Sequence, residues 1–198
     1  RDFSNIKDLT ASRFLRFQHK YFSWIAAFTG IILPALIASL WGNALAGLIV
    51  GGVLRVVVTM HSTFLINSLC HYMGSRPYSN TQTARDNWVT ALLTCGEGYH
   101  NYHHQFALDY RNGVRYFQFD PTKWFIFALS KVGLTNDLKR IDASKILAYR
   151  LKTEEERLKQ RFAHDNTFLT QKVEPLKTNI AHLLAKISEL ELELVALK

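Results

Sequence analysis

The 198-residue chain has few cysteines, few prolines and a shortage of acidic side chains. Cys70 and Cys95 make no recognisable disulfide or CxxC pattern, which excludes a disulfide scaffold, and both read as small buried thiols. Sixteen Asp and Glu stand against 24 Lys and Arg. The deficit is uneven: residues 1 to 140 hold 14 basic and 7 acidic side chains, residues 141 to 198 hold 10 and 9. Basic charge beside long apolar runs points to a membrane surface or a phosphate-bearing ligand. No basic stripe or nucleic-acid motif accompanies it, so nucleic acid is not expected as a partner. The start at Arg1 rather than Met leads to the expectation of a fragment or a processed product.

Charge is absent altogether from Phe22 to Trp41, 20 consecutive residues. That length matches the ~20 residues a helix needs to cross hydrocarbon. Pro34 inside it predicts a kink, tolerated where a neighbouring helix satisfies the freed carbonyl. Gly42 and Asn43 make a short turn. A second apolar run from Ala44 is interrupted only by Arg55 and continues through His61 to about Met73, with a helix expected over about 44–70 after one over about 22–41. The far end, carrying His61, Asn67 and His71, should leave the lipid. Arg13, Arg16 and Lys20 precede the first run, Arg76 and Arg85 follow the second, and the tip between them is uncharged. The positive-inside rule therefore puts both ends of a transmembrane hairpin in the cytoplasm. The alternative is a helical pair buried in a soluble core, which the span length and flanking charge disfavour. Arg55 reads as an interhelical polar contact.

The segment "GEGYHNYHH" places His100, His103 and His104 at i, i+3 and i+4, within about 100° of arc on a helix. Asn67 and His71 are also i, i+4. Imidazole nitrogen without thiolate suits Fe or Zn. Three histidines on one face beside Glu97 would repel once protonated unless something held them neutral. His19, His61, His164 and His182 read instead as satisfied core or interface residues.

"FLINSLCHYMGSRPYS" followed by "DNWVTALLTCGEGYHNYHH" resembles the C-terminal half of membrane fatty acyl desaturases of the stearoyl-CoA (delta-9) type. The likeness runs from about Leu9 to about Arg140, with N-S-x-x-H, G-x-R-P-Y and G-E-G-[YFW]-H-N-Y-H-H in order. It implies an all-α integral membrane fold: a transmembrane helical hairpin, a cytosolic helical His-box region and, here, a coiled-coil-like C-terminal tail. It implies a non-haem centre of two Fe that uses O2 to insert a cis double bond into a saturated acyl chain, with electrons from cytochrome b5 or ferredoxin. His100, His103 and His104 would be the last histidine box, His71 the additional ligand, and Asn67 a ligand through water. Glu97 and Asp109 are candidates for orienting imidazole N–H groups, a solvated loop carboxylate being the alternative for Asp109. Arg13, Arg16, Lys20 and Arg76 would meet coenzyme A phosphates or anionic lipid head groups. The substrate is acyl-CoA or an acyl-lipid.

The family's first two boxes, H-x3-4-H and H-x2-H-H, are missing from this chain, so the resemblance implies that the chain alone is inactive. The implied place is a multi-pass membrane with the His-box side cytoplasmic, the endoplasmic reticulum in a eukaryote or the plasma membrane in a bacterium. The alternatives are a related di-iron fatty acid hydroxylase, or a truncated, non-catalytic membrane interaction module.

Residues 122 to 134 read as an amphipathic helix at the interface, with Trp124 and Phe125 as anchors. The tail, 141–198, is charged, Leu-rich and Gly-free. Val173, Leu176, Ile180, Leu183, Ile187, Leu190, Leu194 and Leu197 form a heptad seam that suits a parallel two-stranded coil and a homodimer through 173–197. The alternative is packing back on residues 143 to 170. Pro175 suits a first helical turn.

Overall fold

The charge-free run folds as a helix, α3 (Phe22–Ser39), and the second apolar run as a longer one, α4 (Ala44–Tyr72). Both have a mean hydropathy of 1.8 and are long enough to cross a membrane, and within this chain almost nothing covers either. The computed structural model describes residues 6–164 and 166–196. Every regular element among them is helical. Two short helices, α1 (Lys7–Ala11) and α2 (Arg13–Lys20), precede α3. Chain contacts divide the molecule at Ser62 and Thr63, within α4.

The turn expected at Gly42 and Asn43 is present. Gly42 takes φ +74°, a conformation glycine adopts without strain. Asn43 then caps α4, its Oδ1 accepting from the Ala46 amide at 3.0 Å. Glycines on α4 face proline on α3: a Cβ at Gly51 would lie 2.8 Å from that of Pro34, and one at Gly47 would run into the Pro34 carbonyl. Small residues thus let the two backbones approach closely.

Pro34 and Arg55 prove to be two sides of one device. Proline has no N–H, so Gly30, four residues earlier, loses its intrahelical donor. The Arg55 guanidinium reaches across from α4 and donates from Nη2 to Gly30 O at 3.2 Å, while its Nε donates to Gly51 O at 2.9 Å. Arg55 is therefore an interhelical polar contact, as its place in an apolar run suggested. The turn ahead of Pro34 also widens to a π-type geometry over Phe28–Ile32.

Beyond α4 the chain builds a region of short helices and long loops: α5 (Trp88–Leu93), α6 (His100–Gln105), α7 (Pro121–Lys131) and α8 (Ala143–Arg161). Its apolar centre is Tyr78, Tyr102, Phe106 and Ile146, with Val114, Ile141 and Tyr149 packed around them. The tail thus enters this core, since Ile146 and Tyr149 belong to α8. Cys70 is buried as expected, whereas Cys95 is exposed, because it occupies a turn with φ +54°. Helix α7 covers most of the stretch read as an amphipathic helix. Asp120 caps it by accepting from Lys123 N at 2.9 Å, and Trp124 and Phe125 stay exposed.

The tail ends in helix α9 (Glu174–Ala196), entered through helical turns over Asn166–Phe168 and Leu169–Val173. Pro175 is the second residue of α9, in its first turn as expected, and helical turns of other geometry lead into it. As at Pro34, the turn before it is of π type, which accommodates the missing donor. Val173, Leu176, Ile180 and Leu184 meet Ala148, Leu151 and Leu158 of α8 across an apolar groove. Lys177 pairs with Glu155 at 3.2 Å beside it. The first half of the heptad seam packs back on 143–170, the intrachain arrangement. Leu183, Ile187 and Leu190 remain exposed. Leu197, and the Leu194 side chain, lie outside what the structure describes.

Candidate metal centre

Six residues of helix, α6, carry most of the histidine cluster, and the chain fixes the start of that helix from a distance. Its own N-cap residue, Tyr99, offers no side-chain acceptor. Asp86 supplies one, its Oδ1 accepting from Asn101 N at 2.8 Å and Tyr102 N at 3.1 Å. Burial nevertheless lifts the Asp86 carboxyl to about 6, the two amide bonds offsetting only part of that cost. The glycines of the GEG segment have separate reasons. Gly96 adopts φ +105° against Asp120, and a Cβ at Gly98 would strike the Ala91 backbone of α5.

Asn101, fully buried between the histidines, ties α6 to the loop after α4. Its Oδ1 accepts from Tyr78 N at 2.8 Å and Ser79 N at 3.3 Å, and its Nδ2 donates to Ser79 O at 3.0 Å and Ala84 O at 2.9 Å. All of its hydrogen-bonding capacity is thereby used. Tyr102 donates its hydroxyl to Asp109 Oδ2 at 2.7 Å. On the other side of the site, Asp120 accepts from the amides of Asn112 and Gly113, and the buried Lys123 ammonium donates to Gly113 O at 2.6 Å.

On this support three imidazoles converge. His100 Nε2 lies 3.1 Å from His71 Nε2 and 3.1 Å from His104 Nε2, and one ligand atom from each ring fits within a 4.8 Å span. Two nitrogens bound at ~2.1 Å to one metal at right angles stand about 3 Å apart. The donor set therefore fits a transition metal that favours imidazole, iron or zinc. Burial, and then the neighbouring His104, His71 and His103, push His100 down to about 4, so at neutral pH it holds the uncharged form that ligates. His104 shifts the same way, burial again leading. His100 Nδ1 is buried with no partner among the described residues.

The other candidates occupy varied positions. His103 stacks parallel to His100 with ring centroids 6.1 Å apart, beside the converging trio and outside it. Asn67, one turn before His71, turns its amide back to Thr63 O at 3.1 Å. Glu97 accepts from the Asn112 amide at 2.9 Å. Asp109 is a buried structural carboxylate, neither solvated nor on an imidazole. Arg111 grips it at 2.9 and 2.7 Å, Ile141 N adds a bond at 2.8 Å, and Arg111 first, then these neighbours, hold it below the usual carboxylate range against the opposing effect of burial. The group that does orient an imidazole is Thr83, whose Oγ1 meets His71 Nδ1 at 2.8 Å and leaves Nε2 facing the cluster. Arg13, Arg16 and Lys20 are exposed, Arg16 donating to Thr10 O and Ala11 O. Arg76 donates to Asn80 O and Gln82 O of its own loop. His19, His61, His164 and His182 are all exposed and stand outside the trio, so none is a core residue of this chain.

The family model for fatty acid desaturases matches residues 2–132, two thirds of the sequence. The chain belongs to the fatty acid desaturase family. It is 41% identical over 164 residues to acyl-CoA desaturase 1 of Saccharomyces cerevisiae, covering 82% of this chain and 32% of that protein. It is 44% identical over 144 residues to a probable acyl-CoA desaturase of Schizosaccharomyces pombe, covering 72% and 30%. Stearoyl-CoA desaturase 5 of Bos taurus is 34% identical over 151 residues, covering 75% and 45%. This desaturase chain therefore spans between about a third and a half of the length of the curated relatives it matches. Helix α8 and the start of the tail lie beyond the family match, although α8 packs into the core under the histidines.

Proposed function

We propose that the chain is the C-terminal half of an oxygen-dependent acyl-CoA desaturase that inserts a cis double bond, at the delta-9 position, into a saturated acyl chain. The observation that carries this reading is the convergence of His71, His100 and His104 within 4.8 Å at the end of an apolar helix. The names of the relatives, acyl-CoA and stearoyl-CoA desaturases, support the substrate class. An acyl chain already esterified in a lipid is the other form of the same substrate.

Iron with O2 supplies the oxidising power to remove hydrogen from unactivated methylenes, which no side chain has. The chain's residues do the rest. His71, His100 and His104 would hold one iron, and His103 and, through water, Asn67 would complete the set. Thr83 fixes the His71 ring so that Nε2 is the ligating atom. Asn101 and Asp86 hold α6 in place, and the Tyr78, Tyr102 and Phe106 cluster limits water behind it. Electrons come from a cytochrome b5 or ferredoxin partner. Helices α3 and α4 form a transmembrane hairpin with both ends cytoplasmic, α7 lies at a membrane interface on Trp124 and Phe125, and Arg13, Arg16 and Lys20 meet phosphates. Leu183, Ile187 and Leu190 are left for a second copy of the tail.

The remaining ligands belong upstream, and the isolated chain is inactive. In the full-length protein, His100→Ala should abolish the unsaturated product and lower bound iron, measured by gas chromatography of acyl chains and metal analysis. Normal product with normal iron would remove His100 from the centre. An alcohol in place of an alkene would move the enzyme to the hydroxylases.

A further inference from the structure

A polar cavity of about 460 Å³ lies away from the histidine cluster, between the loop after α4 and the end of α8. Arg76, Arg85 and Arg157 line it together with Asn80 and Gln160, and no carboxylate is among its walls. Three guanidiniums around one cavity repel each other unless something negative sits among them. The chain provides little. Arg157 pairs with Glu154, which is more than half exposed and outside the cavity wall. Neither Arg76 nor Arg85 has an ion-pair partner among the described residues. Arg76 is held by Asn80 O and Gln82 O through Nη1 alone, and Arg85 by Gly74 O through Nη1, its enclosed Nε having no partner.

The cavity is also built, not incidental. Arg157 donates from Nη2 to Arg76 O at 2.6 Å and from Nε to Asn80 Oδ1 at 3.3 Å, and Asn80 donates on to Thr153 O at 3.0 Å. Helix α8 is bolted to the loop by these bonds, which fixes Arg157 against Arg76 before any ligand arrives, while Arg85 is held separately by Gly74 O. A preorganised set of guanidiniums with unused donors is the arrangement that takes a phosphate, since each offers paired N–H groups to its oxygens.

We infer that Arg76, Arg85 and Arg157 form a binding site for a phosphate group, whether carried by a soluble phosphoester or by a lipid head group. Arg76 alone was legible as a phosphate candidate in the sequence, and the fold adds Arg85 and Arg157 from 9 and 81 residues away. The site is independent of what the histidines do.

The test uses the full-length protein in nanodiscs of zwitterionic lipid, probed with inorganic pyrophosphate by phosphorus NMR and, in a second arm, with liposomes containing phosphatidylinositol 4-phosphate. Saturable binding in either arm, weakened about tenfold or more by Arg85→Gln and by Arg76→Gln and falling with salt, is the expected result. The responding arm identifies the source of the phosphate. Phenylglyoxal labelling of the unaltered protein provides a readout that does not depend on the variants folding: the bound probe should slow modification of Arg76 and Arg85. Absence of saturable binding in both arms, equal affinity in folded variants, or labelling rates unchanged by a saturating probe would each overturn the site.

Discussion

The apolar helix pair and the histidine region solve the same problem, buried backbone polarity, by opposite means. Along α3 and α4 the backbone is satisfied mainly within each helix, and where Pro34 removes a donor a side chain from the other helix, Arg55, steps in. Around the histidines the backbone is mostly loop, and four side chains, Asp86, Asn101, Asp109 and Asp120, take over that work. A lipid-facing segment can be specified by composition and small residues. A metal-holding loop region needs individual polar residues in individual places, so its tolerance to substitution should be far lower.

That contrast is most exposed at Asn101. Asn101→Leu leaves the amides of Tyr78 and Ser79 and the carbonyls of Ser79 and Ala84 without partners in a buried site. It should cost about 4 kcal/mol or more, at ~1–3 kcal/mol for each of the four groups stranded, seen as a loss of the folded fraction in thermal or detergent unfolding. A loss no larger than that of a surface substitution would break the comparison. Next in size, Thr83→Val removes the hydrogen-bond partner of His71 Nδ1 while preserving volume. Metal affinity of the full-length protein should fall about 10- to 100-fold in competition with a chelator, with unfolding little changed; unaltered affinity would deny Thr83 its part.

In the apolar pair, Arg55→Leu strands Gly30 O and should cost about 1–3 kcal/mol. Pro34→Ala restores an N–H to the same turn, so the double substitution should recover much of the loss. Equal losses with and without Pro34 would show the two residues to be uncoupled. The smallest effect concerns pH. Burial raises the Asp86 carboxyl from 3.8 to about 6. A raised folded value means that on acidification the folded state takes up the proton first. This group's contribution is therefore complete below about 3.8 and is lost as pH climbs through about 6. Asp86→Asn keeps an acceptor for Asn101 N and Tyr102 N, so melting curves from pH 4 to 7 should show the variant gaining relative to the original chain as pH rises. A gain on lowering pH would reverse the sign and the cause.

How much of this was legible follows the same division. The charge-free run, the Gly42 and Asn43 turn, Arg55 as a contact between helices and the single face of His100 and His104 are local patterns, with periods of a few residues that fix geometry. Thr83 and His71 are 12 residues apart, Asp86 and Asn101 are 15, and Asn101 and Tyr78 are 23. Those pairs meet across irregular backbone that has no period to read. Asn101 stood in plain view inside HNYHH, and its i+1 position, off the histidine face, was the available sign of a structural role. The π-type turns before Pro34 and Pro175 were also hidden, because the sequence announces a missing donor and not how the helix absorbs it.

Imidazoles from α4 and α6 are proposed to share iron. Anomalous scattering recorded at the iron edge from crystals of the full-length protein tests this directly. A peak is expected within about 2.1 Å of Nε2 of His71, His100 and His104. A map with iron elsewhere, and these three rings hydrogen-bonded only to each other and to Thr83, would contradict it.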